Sequence, residues 1–268
     1  MLEVCDLTIR FGHKTPAVNN VSIAVRPGEV VSLCGPNGAG KSTLLSVLAG
    51  DLPPQEGRAF LDGRHLHDYS PEELSKRRAV LEQSPILAAA FTVEQLAGLS
   101  IAIEASPSTF RDVVTDSLKA VGLHHRAGDR ADLLSGGQQH QAHLSRALSQ
   151  LSSTGIEQGK YLLLDEPTAR LDLAHQITAM KVVCRAAEQS VGVLMVLHDL
   201  NLAAAFSDRV ILMHEGQLVA EGSADTVFTE DRLSEIYQAP IQVDRSPSGT
   251  LRVSPIFFAD SGKPRRIK

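Results

Sequence analysis

Apolar positions along this chain follow three patterns. Continuous runs at Val30-Val31-Ser32-Leu33-Cys34, Tyr161-Leu162-Leu163-Leu164 and Val193-Leu194-Met195-Val196-Leu197 read as buried strands of a parallel sheet. Ala79-Val80-Leu81-Glu82-Gln83 reads as a further core strand with a polar end. Strict alternation at Leu7-Thr8-Ile9-Arg10-Phe11 and Val21-Ser22-Ile23-Ala24-Val25 predicts antiparallel strands within residues 2 to 31, turned at Gly12-His13-Lys14. Helical spacing follows Lys41, returns at Val93–Leu96 and from Phe110 to Val121, and runs on through His143, Leu144, Arg146 and Leu148. Ser70-Pro71-Glu72-Glu73 has the cap, the proline and the glutamate of a helix start. Arg209 to Met213 and Gln217 to Ala220 predict a hairpin turned at Glu215-Gly216, and residues 223 to 238 a helical stretch.

Strands alternating with helices predict an α/β fold around a parallel sheet. The Ala- and Leu-rich stretch from 84 to about 133 predicts a helical subdomain inserted into it. The expected division is a single domain over 1–268. Residues 1–83 and 160–242 form the α/β core with an antiparallel β subdomain, 84–150 the helical subdomain, and 243–268 a C-terminal extension with a basic, frayed end.

The composition narrows the class. The chain has 268 residues, 43% hydrophobic and 21% charged, which describes a globular protein able to bury a core. Its net charge of -5 argues against general nucleic-acid binding. Apolar runs fall far short of the ~20 residues of a membrane span, and no signal peptide is visible, so any membrane role is expected to be peripheral. Cys5, Cys34 and Cys184 are scattered in apolar contexts, as buried free thiols would be.

Candidate chemistry gathers at the ends of the apolar runs. Gly35-Pro36-Asn37-Gly38-Ala39-Gly40-Lys41-Ser42, with Thr43 behind it, fits the phosphate-binding loop of nucleotide triphosphatases and sits between a strand and a helix, as that motif requires. Its N–H groups and the new helix's positive end suit an anion. Lys41 suits the β- and γ-phosphates, and Ser42 suits Mg²⁺. Asp165 and Glu166 end an apolar strand, where two carboxylates are costly unless they serve a cation or accept protons. Asp165 suits the Mg²⁺ shell, and Glu166 suits polarising the attacking water. Gln83 and His198 end two other core strands on the same expected face. Phe11 reads from its spacing as a core or edge aromatic, with stacking on adenine the alternative. Ser135-Gly136-Gly137-Gln138 opens a helix; it is either an ordinary cap or a second anion site, although one triphosphate already has a loop.

Taken in order, these motifs resemble the ATP-binding-cassette ATPases over nearly the whole chain. The carrying segments are the phosphate loop, Gln83, Leu134-Ser135-Gly136-Gly137-Gln138, Leu162 to Pro167, Leu171-Asp172 and His198. The resemblance implies a P-loop NTPase core and ATP with Mg²⁺ as cofactors. It implies adenine stacking by Phe11, phosphate binding by Gly38, Gly40, Lys41, Ser42 and Thr43, and sensing of Mg²⁺ and water by Gln83. It further implies Mg²⁺ support by Asp165, Glu166 as general base, His198 as the switch, and a cross-subunit contact by Asp172. It also accounts for the spare anion site. Two copies pair head to tail, and Ser135, Gly136 and Gly137 of one cap the γ-phosphate held by the other. Two departures stand out: Ala169-Arg170-Leu171-Asp172 where Ser-Ala-Leu-Asp is commoner, and Gln141 where Arg or Lys is common.

Within that family, His198-Asp199-Leu200-Asn201-Leu202-Ala203-Ala204 with Asp208-Arg209 is similar to the importers of iron-siderophores, cobalamin and haem. Asp172-Leu173-Ala174-His175-Gln176 and the loop before Tyr161 resemble the haemin-import subunits in particular. The implied partners are a second copy, two copies of a transmembrane permease and, indirectly, a periplasmic substrate-binding protein. The implied place is the cytoplasmic face of the bacterial inner membrane. Siderophore or cobalamin import, and a soluble cassette ATPase outside transport, stay open as alternatives.

Overall fold

The computed structural model describes residues 1–12, 15–83, 90–101, 106–156, 159–247 and 249–257. The alternating segments form β1 (Leu2–Ile9) and β2 (Val18–Val25), paired antiparallel, and the first apolar run forms β3 (Val30–Cys34). There follow α1 (Lys41–Ala49), β4 (Glu56–Leu61), β5 (Arg64–His65), α2 (Pro71–Arg77) and β6 (Arg78–Leu81). Three helices come next, α3 (Val93–Gly98), α4 (Pro107–Ala120) and α5 (Gly136–Ser152), packed on one another. The chain then returns through β7 (Lys160–Asp165), α6 (Leu173–Glu188), β8 (Val191–Val196), α7 (Leu200–Phe206), β9 (Arg209–His214) and β10 (Gln217–Gly222). It closes with α8 (Ala224–Val227), α9 (Glu230–Tyr237), β11 (Ile241–Arg245) and β12 (Leu251–Pro255).

Six strands make one sheet in the order β10-β9-β3-β8-β7-β6, and four make an antiparallel sheet in the order β2-β1-β4-β5. Within the larger sheet β9, β3, β8, β7 and β6 run parallel. Their carboxyl ends therefore share one edge, the edge at which open α/β sheets take ligands. Helix α1 lies between the two sheets, and Leu44, Leu45, Val47, Leu48 and Ala49 are all buried in the core they share. A second core, on the other face of the large sheet, is built by helices α3 to α9.

Cap chemistry visible in the sequence sets the helix starts. Ser70 accepts from the Glu73 N–H at 3.1 Å, and Glu73 accepts in return from the Ser70 N–H at 2.7 Å. Helix α5 is fastened to the edge strand β6 by polar side chains. Arg146 donates to the Val80 carbonyl at 3.1 Å, and Gln150 donates to the carbonyls of Ser75 and Arg78 at 2.8 and 2.9 Å.

Three expectations need adjusting. Cys34 is buried, but Cys5 and Cys184 are only half-buried, so three buried thiols overstated the case. The 223–238 stretch is helical but breaks at Phe228-Thr229 into two short helices. The stretch after 240, in which no element was predicted, forms the antiparallel hairpin β11–β12; the basic end at 262–268 lies outside the described residues. Among the described residues no helix is long and apolar enough to cross a membrane.

Candidate active site

The loop after β3 is shaped by two glycines that no other residue could replace. A Cβ on Gly35 would stand 2.1 Å from the Met213 carbonyl oxygen, and one on Gly40 would stand 2.1 Å from that of Ala17. Both also have positive φ, 141° and 96°. Gly38, at φ 79°, meets nothing within 4 Å and leaves open space inside the turn. Lys41, only 5% exposed at the first position of α1, folds back on the loop. Its Nζ donates to the carbonyls of Gly35 at 2.7 Å and Pro36 at 2.8 Å. Burial lowers its pKa, opposed by the nearby Glu166 and Asp165 carboxylates.

The other strand ends converge on the loop. A cleft of about 360 Å³ is lined by Asn37 through Thr43, with Phe11, Ala17, Gln83, Glu166 and His198. Glu166 Oε1 accepts from Gln83 Nε2 at 2.8 Å and pairs with His198 Nε2 at 2.6 Å. Both partners fall on the same oxygen; among the described residues Oε2 takes no hydrogen bond. Glu166 adopts a left-handed φ of 55°, a conformation costing roughly 1–3 kcal/mol that persists only where its surroundings enforce it. Its N–H donates to the Val196 carbonyl at the end of β8, which fixes the turn. Phe11 is 55% exposed and lines the cleft, so the core reading of this residue is set aside.

Asp165, Gly35 and Pro36 do not line the cleft. The two loop residues hold Lys41, and Asp165 lies behind, 9% exposed. Burial raises its pKa, while a hydrogen bond from the Ser42 side chain works in the other direction. Its Oδ1 is buried without a hydrogen-bond partner among the described residues. An orphaned carboxylate oxygen beside the Ser42 hydroxyl suits a small hard cation such as Mg²⁺.

The remaining predicted residues form a different cleft. Ser135, Gly136, Gly137, Gln138 and Asp172 line a space of about 300 Å³ with Gln141, Arg170, Leu171 and His175. The two clefts share no lining residue. Ser135 caps α5, accepting from the Gln138 N–H at 3.4 Å, while Gln138 Oε1 accepts from Arg126 at 2.7 Å. Gly137 is obligatory here, since a Cβ would meet the Arg170 carbonyl oxygen at 2.9 Å. Asp172 caps α6, and its Oδ1 accepts from the His175 N–H at 2.9 Å and pairs with the His175 ring at 2.7 Å.

Ala17, Gln141, Arg170, Leu171 and His175 line the clefts without having been named as site residues from sequence. His175 left a signal, three residues after a capping aspartate, where a side chain can return to the cap.

Comparison with known proteins gives consistent results. A family model described as ABC transporter matches residues 18–169. The hemin import ATP-binding protein HmuV of Rhodopseudomonas palustris (strain BisA53) is 38% identical over 267 residues, covering 99% of this chain and 98% of that protein. The protein of the same name from Pseudomonas aeruginosa is 41% identical over 249 residues, covering 92% and 96%. A bacterial ABC transporter cassette solved as a dimer superposes with a TM-score of 0.74 at 26% identity, over 84% of this chain and 99% of that one. A second structure of that cassette, dimeric and in a post-hydrolysis state with ADP and Pi, gives 0.72 at the same identity and coverage.

Proposed function

This chain belongs to the ABC transporter family of ATP-binding proteins, and from that premise we propose that it is the ATP-hydrolysing subunit of a haemin importer. The observation that carries the mechanism is the division of phosphate-binding features between two clefts with no residue in common. A single triphosphate needs both sets only if a second copy supplies the second. Two copies arranged head to tail then enclose each ATP between the loop of one and Ser135, Gly136 and Gly137 of the other.

In that arrangement Phe11 stacks on adenine, and the N–H groups from Gly38 to Thr43 hold phosphate oxygens. Lys41 exchanges its two carbonyl partners for the β- and γ-phosphates, where a charge-assisted bond is worth about 1.5–3 kcal/mol. Ser42, Asp165 and Gln83 would hold Mg²⁺, which would supply positive charge to offset that of the phosphates. Glu166 takes the proton of the attacking water on Oε2, since Oε1 is occupied by Gln83 and His198. His198 and Gln83 thereby fix the direction of the base. Asp172 contacts the partner copy.

Haemin as cargo is supported by what the relatives are named for. The remaining partners follow from an importer role: two permease copies in the inner membrane, with a periplasmic haem-binding protein acting through them, and this chain on the cytoplasmic face. The test is uptake in cells lacking the gene. Haemin uptake is expected to fail and to return with the wild-type gene but not with Glu166→Gln, while ferric siderophore and cobalamin uptake continue. Loss of siderophore or cobalamin uptake instead would redirect the cargo, and a chain that never co-purifies with a polytopic membrane protein would remove the importer role.

A further inference from the structure

The C-terminal hairpin packs on α7, the helix that follows His198, and is hydrogen-bonded to it by one side chain. Asn201 stands in the first turn of α7, three residues after His198. Its Nδ2 donates to the Val253 carbonyl at 3.2 Å, and its Oδ1 accepts from the Val253 N–H at 2.8 Å. The side-chain amide thus pairs with both backbone groups of one residue, as a neighbouring strand would. Val253 faces Val243 across the hairpin. With both its backbone groups directed to Asn201, it is the outward-facing type of antiparallel position. The bond to Asn201 therefore lies outside the hairpin's own ladder.

The hairpin also has anchors away from α7. The Val243 N–H donates to Glu230 at 2.9 Å, and the Ile256 N–H donates to the Pro240 carbonyl at 2.8 Å. Leu251 and Val253 pack against the larger core, to which α7 itself contributes Leu200 and Ala203. On the α7 side, Asp199 Oδ1 caps the same turn, accepting from the N–H groups of Asn201 at 2.8 Å and Leu202 at 3.3 Å. His198 lies between the end of β8 and this turn, with 44% of its side chain exposed, so packing alone restrains the ring weakly. What limits its path is the turn that follows.

We propose that Asn201 is a positioning residue: by docking on β12 it holds the first turn of α7, and with it His198, against Glu166. The inference rests on the roles given above to His198 and Glu166. It makes the C-terminal hairpin part of the hydrolytic geometry, and it leaves nucleotide binding to the loop after β3.

Steady-state ATPase kinetics on the full-length chain test this, with variants Asn201→Ala, Asn201→Asp, Val253→Pro, the Asn201→Ala/Val253→Pro double, and His198→Ala. Proline at 253 deletes the N–H that Asn201 accepts from, and with it the valine side chain, at an edge position where proline is tolerated. Each of Asn201→Ala and Val253→Pro is expected to lower kcat about tenfold, equivalent to ~1.4 kcal/mol at the transition state, with KM for ATP unchanged. The double variant is expected to be no worse than either single one, because the two lesions remove the same contact. Asn201→Asp keeps the acceptor and is expected to recover part of kcat, but not with proline at 253. Full kcat in Asn201→Ala, additive losses in the double variant, or a fall in Tm with kcat intact would overturn the proposal. If His198→Ala is inactive while Asn201→Ala is normal, the tether alone fails. If His198→Ala runs at full rate, the role of His198 fails and the tether with it.

Discussion

Each cleft holds a carboxylate paired with an imidazole, and the two pairs are built differently. In the first, Glu166 and His198 meet at 2.6 Å with the glutamate side chain 18% exposed. In the second, Asp172 and His175 meet at 2.7 Å with the aspartate side chain 66% exposed. Glu166 is held by two side chains from other strand ends and sits in a left-handed backbone conformation. Asp172 has an ordinary capping conformation and takes both of its bonds from the helix it begins. One loop after β7 supplies both, with Glu166 at its start and Arg170, Leu171 and Asp172 at its end. The difference separates a group constrained for chemistry from one left facing outward, as a surface that closes on another molecule requires.

Lesions in the two clefts should therefore separate cleanly. The largest effect is expected from Glu166→Gln, which keeps the shape and removes the base. Turnover should fall by about 10²–10⁴, the range for a general base, in a phosphate-release assay, while ATP stays bound. Next is Lys41→Ala, for which ATP affinity measured with a fluorescent analogue should fall by roughly 10–100-fold, from the ~1.5–3 kcal/mol of a charge-assisted bond. Unchanged affinity would count against the phosphate assignment. In the second cleft, Gly137→Ala forces a methyl toward the Arg170 carbonyl. Turnover is expected to fall about tenfold, the effect of ~1.4 kcal/mol, with ATP binding to the isolated chain unaltered. A parallel loss of binding would erase the distinction between the clefts.

The smallest effect at neutral pH concerns His143, buried on α5. Both ring nitrogens are buried without partners among the described residues, and burial lowers its pKa to about 4. The unfolded chain takes up this proton as pH falls through about 6.5, while the folded chain does so only near 4. Stability is complete above pH 6.5 and is lost on acidification through that window, by up to about 3 kcal/mol. His143→Leu should flatten the acid limb of a urea-denaturation series and leave ATPase activity at neutral pH intact. An acid limb as steep as wild type would place the loss elsewhere.

Local signals made much of this legible in advance. The apolar runs, the glycine loop and the capping box at Ser70 depend on neighbours in sequence, and each stands where the pattern put it. From the residues themselves the two-cleft division showed as an anion site without an anion to serve, and the family resemblance supplied the head-to-tail pairing. The left-handed turn at Glu166 was hidden, because the carboxylate's partners come from residues 83 and 198. So was the docking of Asn201 on β12. The alternation of Ile241-Gln242-Val243 and Leu251-Arg252-Val253 could have suggested a hairpin, but an amide's partner fifty residues away is a tertiary fact.

The central claim is that two copies of this chain enclose ATP, each completing the other's site. The most direct measurement is the mass of the Glu166→Gln variant by light scattering after gel filtration, with and without Mg²⁺-ATP. The account predicts one chain without nucleotide and two with it, the second species weakened about tenfold in its association by Gly137→Ala, the effect of ~1.4 kcal/mol. A single chain at saturating Mg²⁺-ATP, with nucleotide demonstrably bound, would contradict it.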